Sequence, residues 1–289
     1  MILLIGATGK IGRTVATRLA ATGVPTRALV RDPAKAADLA AAGVEVVQGD
    51  VADRGALDHA FAGVDKLYLA VGGTSDQEAL EKGAIDASEA AGVGHIVKIS
   101  VVGVAPDAIV ALARWHHAIE EHLAASGVAA TVLRPNFFMQ NTLGSAGSIA
   151  GEGNLYGNAG GGRTSVIDDR DIAEVAVATL TSDGHAGQTY TLTGGEALTQ
   201  PEIAAHIGDA IGTSVTYVDL SDDQMRSALL GMGLPEWMAD DYTALGVIQR
   251  DGWAAEVTGD VERILGRAPR TFAQFARDYA DAFRRGPAS

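Results

Sequence analysis

Gly6, Gly9 and Gly12 stand three residues apart in "MILLIGATGKIG", directly after the apolar run Ile2–Ile5 and directly before a segment of helical character. Glycines at that spacing allow a tight turn, a close approach of backbone to a pyrophosphate and close packing of helix on strand. The N–H groups at such a helix start attract anions. Gly6, Thr8, Gly9, Lys10, Ile11 and Gly12 are therefore the candidate phosphate loop. A glycine turn with only a structural role is the alternative, and the strand–loop–helix setting within a β-α-β unit argues for the phosphate.

Beyond the next strand, "TRALVRDPAKAADL" carries both signs of charge. A free ribose 2′-hydroxyl calls for a carboxylate here, whereas a 2′-phosphate calls for cations. Asp32 followed by Pro33 makes a good helix N-cap and first helical residue, which occupies the carboxylate. Arg31 and Lys35 then remain for a 2′-phosphate, or are solvated surface charges, and NADP(H) is expected over NAD(H). In "VVQGDVAD", Asp50 can accept from an adenine amino group with Val51 on the ring, or serve as a turn residue. Asp53 reads as a helix cap. His116, His117 and His122 are near one another, but the first two point to different faces of a helix and no HExxH spacing occurs, so no metal is expected.

Positioning such residues takes a strand–helix alternation, and the first half of the chain has one. Apolar runs predict strands at Ile2–Ile5, Thr26–Val30, Val44–Gln48, Lys66–Val71, His95–Ser100 and Ala129–Leu133. Helical patterns lie near 10–22, 33–42, 54–61, 75–92 and 112–126, with Ser75 or Asp76 as the cap of the fourth. Strands that are apolar throughout suit a parallel sheet covered on both faces. The fold class is α/β, a doubly wound sheet. After Pro135 a Gly-, Ser- and Asn-rich stretch reads as loops around at most a short helix. A helix near 170–181 and a strand near Gln188–Thr193 follow, then a mostly helical tail at 199–212, 221–232, 235–250, 258–265 and 271–284. The expected division is 1–135 for the nucleotide-binding core and 136–289 for a smaller substrate lobe, integrated as one structural unit.

With 36 Asp and Glu against 22 Lys and Arg, the formal net charge is −14, which repels a phosphate backbone and argues against nucleic acid as a general partner. The absence of cysteine removes disulfides and thiolate chemistry and fits a reducing compartment. No stretch approaches the roughly 20 apolar residues of a membrane span. A first strand at residue 2 leaves no room for a signal peptide, so a cytoplasmic protein is expected, with no membrane partner, as a monomer or homodimer.

The segments "GATGKIG", "LVRDPAK", "HIVKISVVG", "WHHAIEEHLAASGV", "TVLRPNFFMQN" and "ILGRAPRTFAQFARDYA" resemble, in order and over nearly the whole chain, the NmrA-like atypical branch of the short-chain dehydrogenase/reductase superfamily. Within it, "NAGGGRTSVIDDRDIAEVAVATL" and "GMGLPEWMADDYTA" resemble the NADPH-dependent quinone and triphenylmethane-dye reductases. The resemblance implies a Rossmann sheet with NADP(H) lying against Ala70, Val71 and Gly72, against Ser100 and Val101, and with Pro135, Asn136 and Phe137 at its carboxamide end. It also implies a departure. The wider superfamily uses Ser, Tyr and Lys; Ser100 matches the first, His116 stands in the register of the Lys, and Leu112 replaces the Tyr acid. His116 can hold the ribose or give a proton, or be a helix-surface histidine. Ser100 can bond a substrate carbonyl or the ribose, or simply end a strand. Asn141 is placed facing the same cleft, and Phe137, Phe138 and Met139 form an apolar wall or core.

Hydride addition to a simple ketone makes a strongly basic alkoxide that needs an acid. A quinone gives a delocalised, weakly basic anion, and a cationic dye becomes neutral. Leu112 thus points to planar, conjugated acceptors. A non-catalytic NADP(H) sensor that binds a regulatory protein is the alternative, and an epimerase or dehydratase fits least.

Overall fold

A computed structural model describes residues 1–286. Its first half alternates as the apolar runs predict: β1 (Ile2–Ile5), α1 (Lys10–Ala21), β2 (Thr26–Val30), a 3-10 turn Pro33–Ala36 leading into α2 (Ala37–Ala41), β3 (Glu45–Gln48), α3 (Arg54–Ala60), β4 (Lys66–Leu69), α4 (Gln77–Ala90), β5 (His95–Ile99), α5 (Ala111–Ala125) and β6 (Ala130–Pro135). A second 3-10 segment, Met139–Ser145, precedes α6 (Ala146–Glu152), β7 (Asn154–Gly157), β8 (Arg163–Thr164), α7 (Asp169–Thr181) and β9 (Thr189–Leu192). Then come β10 (Leu198–Thr199), α8 (Gln200–Ile211), β11 (Thr216–Asp219), α9 (Asp222–Gly231), α10 (Glu236–Arg250), α11 (Asp260–Leu265), α12 (Phe272–Asp278) and α13 (Ala280–Arg285).

Seven strands form one sheet in the order β3-β2-β1-β4-β5-β6-β9, the doubly wound α/β arrangement expected. The ladders from β3 to β6 are parallel, with Leu4 opposite Ala28 on one side and Tyr68 on the other. The order reverses beside β1, between β2 and β4, so the loop after β1 opens at the topological switch point where such sheets hold ligands.

Two corrections concern the second half. The stretch read as loops holds two strands as well as α6, and the tail read as mostly helical contributes their partners, because β7 pairs in parallel with β11 and β8 antiparallel with β10. Strands of two to four residues are too short to show alternation, and each partner lies far along the chain. The last expected helix is interrupted at Tyr279, which separates α12 from α13. Asp76 takes the N-cap position of α4 without a side-chain capping bond. Capping boxes start α8, α9 and α12, from Thr199 with Glu202, Ser221 with Gln224 and Thr271 with Gln274.

The chain divides into two compact units. The first comprises Met1–Pro106, Arg114–Arg134 and Ile172–Thr191; the second comprises Asp107–Ala113, Pro135–Asp171 and the chain from Leu192 onward. In the first, Leu3, Ile5, Phe61, Leu67, Leu69, Ile85 and Ile119 are among the buried residues of one core. In the second, Ile203, Ile207, Phe272, Phe275 and Phe283 gather with Met139, and Phe137 packs against them. No helix among the described residues is long and apolar enough to cross a membrane.

The second unit has an acid-sensitive brace. Asp168 is fully buried and accepts from the Arg170 guanidinium at 2.6 Å and from the Gln140 amide at 2.9 Å. Burial alone would raise its pKa, but the Arg170 side-chain hydrogen bond, the Arg170 backbone N–H, Gln140 and the Arg170 charge together lower it below the usual carboxylate range. A depressed carboxylate contributes stability that is present above its unfolded pKa and is lost as pH falls through the folded one. Asp168→Asn is expected to cost about 2 kcal/mol at pH 7, less than the ~3–5 kcal/mol of a fully buried pair because Arg170 is 27% exposed. Denaturant melts of both proteins check this: the gap should close as pH drops below about 4, and a gap independent of pH would refute the charge as its origin.

Candidate functional site

The phosphate loop is built from backbone contact. Gly6 has φ +97°, and a Cβ on it would lie 2.0 Å from the Ala70 carbonyl oxygen; a Cβ on Gly12 would lie 2.2 Å from the Gly6 carbonyl oxygen. Only glycine lets strand, loop and helix approach so closely. By contrast, a Cβ on Gly9 would meet only the Gly6 oxygen, at 3.4 Å. Gly9 is the N-cap of α1, makes no side-chain capping bond, and no acidic residue follows in the first turn. The positive end of α1 is thus left to an anion from outside the loop. Thr8, Gly9 and Lys10 are exposed, Ile11 is half-buried and Gly12 is buried. A dinucleotide pyrophosphate fits this cradle.

Beyond β2, Asp32 spends its carboxylate on the Ala34 N–H at 3.0 Å, as the N-cap reading requires. Arg31 and Lys35 are exposed, and neither side chain has a partner among the described residues. Arg13 is engaged instead, by Asp38 and by the Lys35 carbonyl. Two cations are free where a 2′-phosphate would want them, and the nearby carboxylates are committed. Asp50 is exposed and accepts the Ala52 N–H at 2.9 Å, which makes it a turn residue in this structure; Val51 is half-buried beside it. Asp53 caps α3 through the Gly55 N–H.

At the carboxyl end of β4, Ala70 and Val71 are half-buried and Gly72 is exposed. Val71 donates its N–H to Glu81 Oε1 at 2.9 Å. One strand over, Ser100 is buried, donates its hydroxyl to Glu120 Oε1 at 2.5 Å and its N–H to the Leu133 carbonyl; Val101, next to it, is half-buried. Glu120 is also held by the Arg134 guanidinium. The structure therefore brings Ser100 and Glu120 together.

His116 is not a helix-surface residue: it is 4% exposed. Its Nδ1 lies 3.0 Å from Lys98 Nζ and its Nε2 3.1 Å from the Gln77 amide. Burial, reinforced by the Lys98 charge, pushes its pKa down to about 2, so the ring is neutral across the working range. Leu112 occupies the first turn of α5, where its N–H and that of Ala111 donate to the Asp241 carboxylate.

In the second unit, Pro135 and Asn136 are buried. Asn136 uses its whole amide locally, donating to Ser165 Oγ and the Ala254 carbonyl and accepting the Phe137 N–H. Asn141 is exposed. Met139 belongs to the core, while Phe137 and Phe138 are half-buried.

Sequence reasoning misses Lys98, Glu81 and Gln77, all within 1% of complete burial. A lysine in the otherwise apolar run "HIVKIS" is the signal for the first. Gln77 and Glu81, four apart on α4, share a helix face.

A model of the NmrA-like family matches residues 1–275. An NAD(P)H azoreductase from Xenophilus azovorans is 41% identical over 98% of this chain and 99% of its own. Among solved structures, an NADPH-dependent quinone oxidoreductase from Escherichia coli, complexed with NADPH, superposes with TM-score 0.89 at 33% identity, over 96% of this chain and 99% of that one. A triphenylmethane reductase from a Citrobacter species, complexed with NADP(H), gives TM-score 0.87 at 27% identity over 97% and 100%.

Proposed function

The chain belongs to the NmrA-like family, and from that premise we propose that it is an NAD(P)H-dependent reductase of quinone-like, dye-like or other conjugated acceptors. The observation that carries this reading is the uncapped start of α1, framed by Gly6 and Gly12, with Arg31 and Lys35 unengaged beyond β2. A bound nicotinamide would supply the two-electron reduction. The loop Gly6, Thr8, Gly9, Lys10, Ile11 and Gly12 would bind the pyrophosphate through backbone N–H groups, and Arg31 and Lys35 the 2′-phosphate, so NADP(H) is favoured over NAD(H). Asp50 and Val51 would flank the adenine. Ala70, Val71, Gly72, Ser100, Val101 and His116 would receive the nicotinamide end. Within the second unit, Pro135, Asn136 and Phe137 are the residues that the family resemblance assigns to the carboxamide, and Asn141 the one it assigns to the acceptor.

These residues orient rather than exchange protons. Leu112 has no proton to give, and the neutral His116 ring has both nitrogens occupied. An acceptor that stabilises its own added charge tolerates that, so catalysis rests on positioning. In this reading residues 1–135 hold the nucleotide and 136–289 shape the acceptor pocket. The protein works in the cytoplasm, as a monomer or homodimer, with no nucleic-acid or membrane partner.

Nicotinamide oxidation by the purified protein tests the proposal, with NADPH and NADH in parallel against quinones, azo compounds and cationic dyes. Rapid NADPH consumption with one acceptor class is expected. Tight NADPH binding without turnover on any acceptor would replace the reductase with a nucleotide sensor.

A further inference from the structure

Lys98 on β5 and Glu81 on α4 form an ion pair, Nζ to Oε2 at 2.6 Å, with both side chains completely buried. Burial pushes the Glu81 carboxyl up and the Lys98 ammonium down, opposed by their mutual attraction. Sequestering such a pair is costly, and well-packed apolar side chains often replace one without loss of stability. Its other contacts indicate what it does. Glu81 Oε1 takes the Val71 N–H, a group the chain leaves unpaired as it departs from β4. Lys98 Nζ donates to the Ile99 carbonyl, in the peptide that leads into Ser100. Its third neighbour is His116 Nδ1. A neutral imidazole carries one N–H. With the ammonium against Nδ1, that hydrogen sits on Nε2, where the Gln77 NH2 cannot accept it and only Gln77 Oε1, buried without a partner among the described residues, can. The amide turned to present Oε1 to the ring satisfies both groups, and Lys98 then selects the tautomer as well as the ring's orientation. The other polar or charged groups around the pair are Glu120, which acts on Lys98 through its charge, and the buried Tyr68 hydroxyl, which has no hydrogen-bond partner among the described residues.

We propose that Lys98 and Glu81 are positioning residues for the reductase reaction: the buried pair presets the backbone at Val71 and Ser100 and the His116 ring, three points assigned to the nicotinamide end of the nucleotide. This rests on the reading of the chain as an NAD(P)H-dependent reductase. The three arms end at Val71 just after β4, at the Ile99 carbonyl in the peptide that leads from β5 into Ser100, and at His116 on α5. Fixing three separate elements to one buried point is what orienting a flat ring requires, because small misplacements of reacting groups cost as much as 100-fold in rate.

The double variant Glu81→Met with Lys98→Met separates this role from a structural one. It is expected to keep the parent's cooperative melt and to hold KM for NADPH within about threefold, while kcat falls about 10–100-fold. Glu81→Gln, which keeps an oxygen for the Val71 N–H, should retain more of kcat than Glu81→Met. A double variant with parental kcat overturns the proposal, as does a loss of kcat that merely tracks a loss of melting temperature. Should the double variant not fold, 15N NMR of histidine-labelled parent protein decides. A neutral His116 with hydrogen on Nε2 from pH 5 to 8 supports the pair's role, and a ring that titrates in that range, or carries hydrogen on Nδ1, refutes it. Parent protein that oxidises no NADPH with any acceptor fails the reductase reading; the tautomer and the NADPH dissociation constants of the variants still judge the pair.

Discussion

Gly12→Ala is expected to weaken NADPH binding about 100-fold. The new Cβ would stand 2.2 Å from the Gly6 carbonyl oxygen and 2.9 Å from its carbon, and both are backbone atoms that no rotamer change can move. The start of α1 must therefore shift away from the turn after β1. That breaks the alignment of N–H groups that a pyrophosphate would use, and one or two hydrogen bonds to a charged group, at about 1.5–3 kcal/mol each, amount to roughly that factor. Fluorescence titration with NADPH measures the change, and Gly83→Ala is the control, because a Cβ there, mid-way along α4, would touch nothing within 4 Å. A Gly12→Ala protein that binds NADPH like its parent would remove the loop from the nucleotide site.

The second large effect is in discrimination. Replacing Arg31 and Lys35 together by alanine should raise the dissociation constant for NADPH about 10–100-fold and leave that for NADH within about twofold, since only the former carries the phosphate these cations would meet. The same variant should lose most of the salt dependence of NADPH binding, because exposed charges are screened. Arg13 is not expected to substitute, as Asp38 and the Lys35 carbonyl already occupy it. Equal weakening of both nucleotides would mean that the pair acts on something common to them.

What was legible in the sequence follows from how local each feature is. The strand–loop–helix at residues 2–21 is written in contiguous residues, as are the Asp32 and Asp53 caps, so their positions come out within a residue or two. The free state of Arg31 and Lys35 was half legible: Asp32–Pro33 announces its own use as a cap, but the capture of Arg13 by Asp38, 25 residues on, does not show in a linear reading. The environment of His116 was not legible. The resemblance gives it the register of the superfamily Lys, but nothing local shows its burial, and its partners Gln77 and Lys98 come from 39 and 18 residues away. The strands β7, β8, β10 and β11 fail for the same reason, since each owes its conformation to a partner that local propensity does not announce.

The pairing of β7 with β11 also bears on how the chain comes off the ribosome. Asn154–Gly157 is made about 60 residues before Thr216–Asp219, which at roughly 5–20 residues per second is a wait of about 3–12 s. In that interval Ile172–Thr191 emerges and belongs to the first unit, not the second. The first unit can thus be complete while the second is half made, with the edge of β7 still lacking the strand that will cover it. Translation pauses in that window would prolong the exposure of an unpaired strand edge, and the yield of folded protein should be more sensitive to synonymous slow codons there than in the first hundred residues.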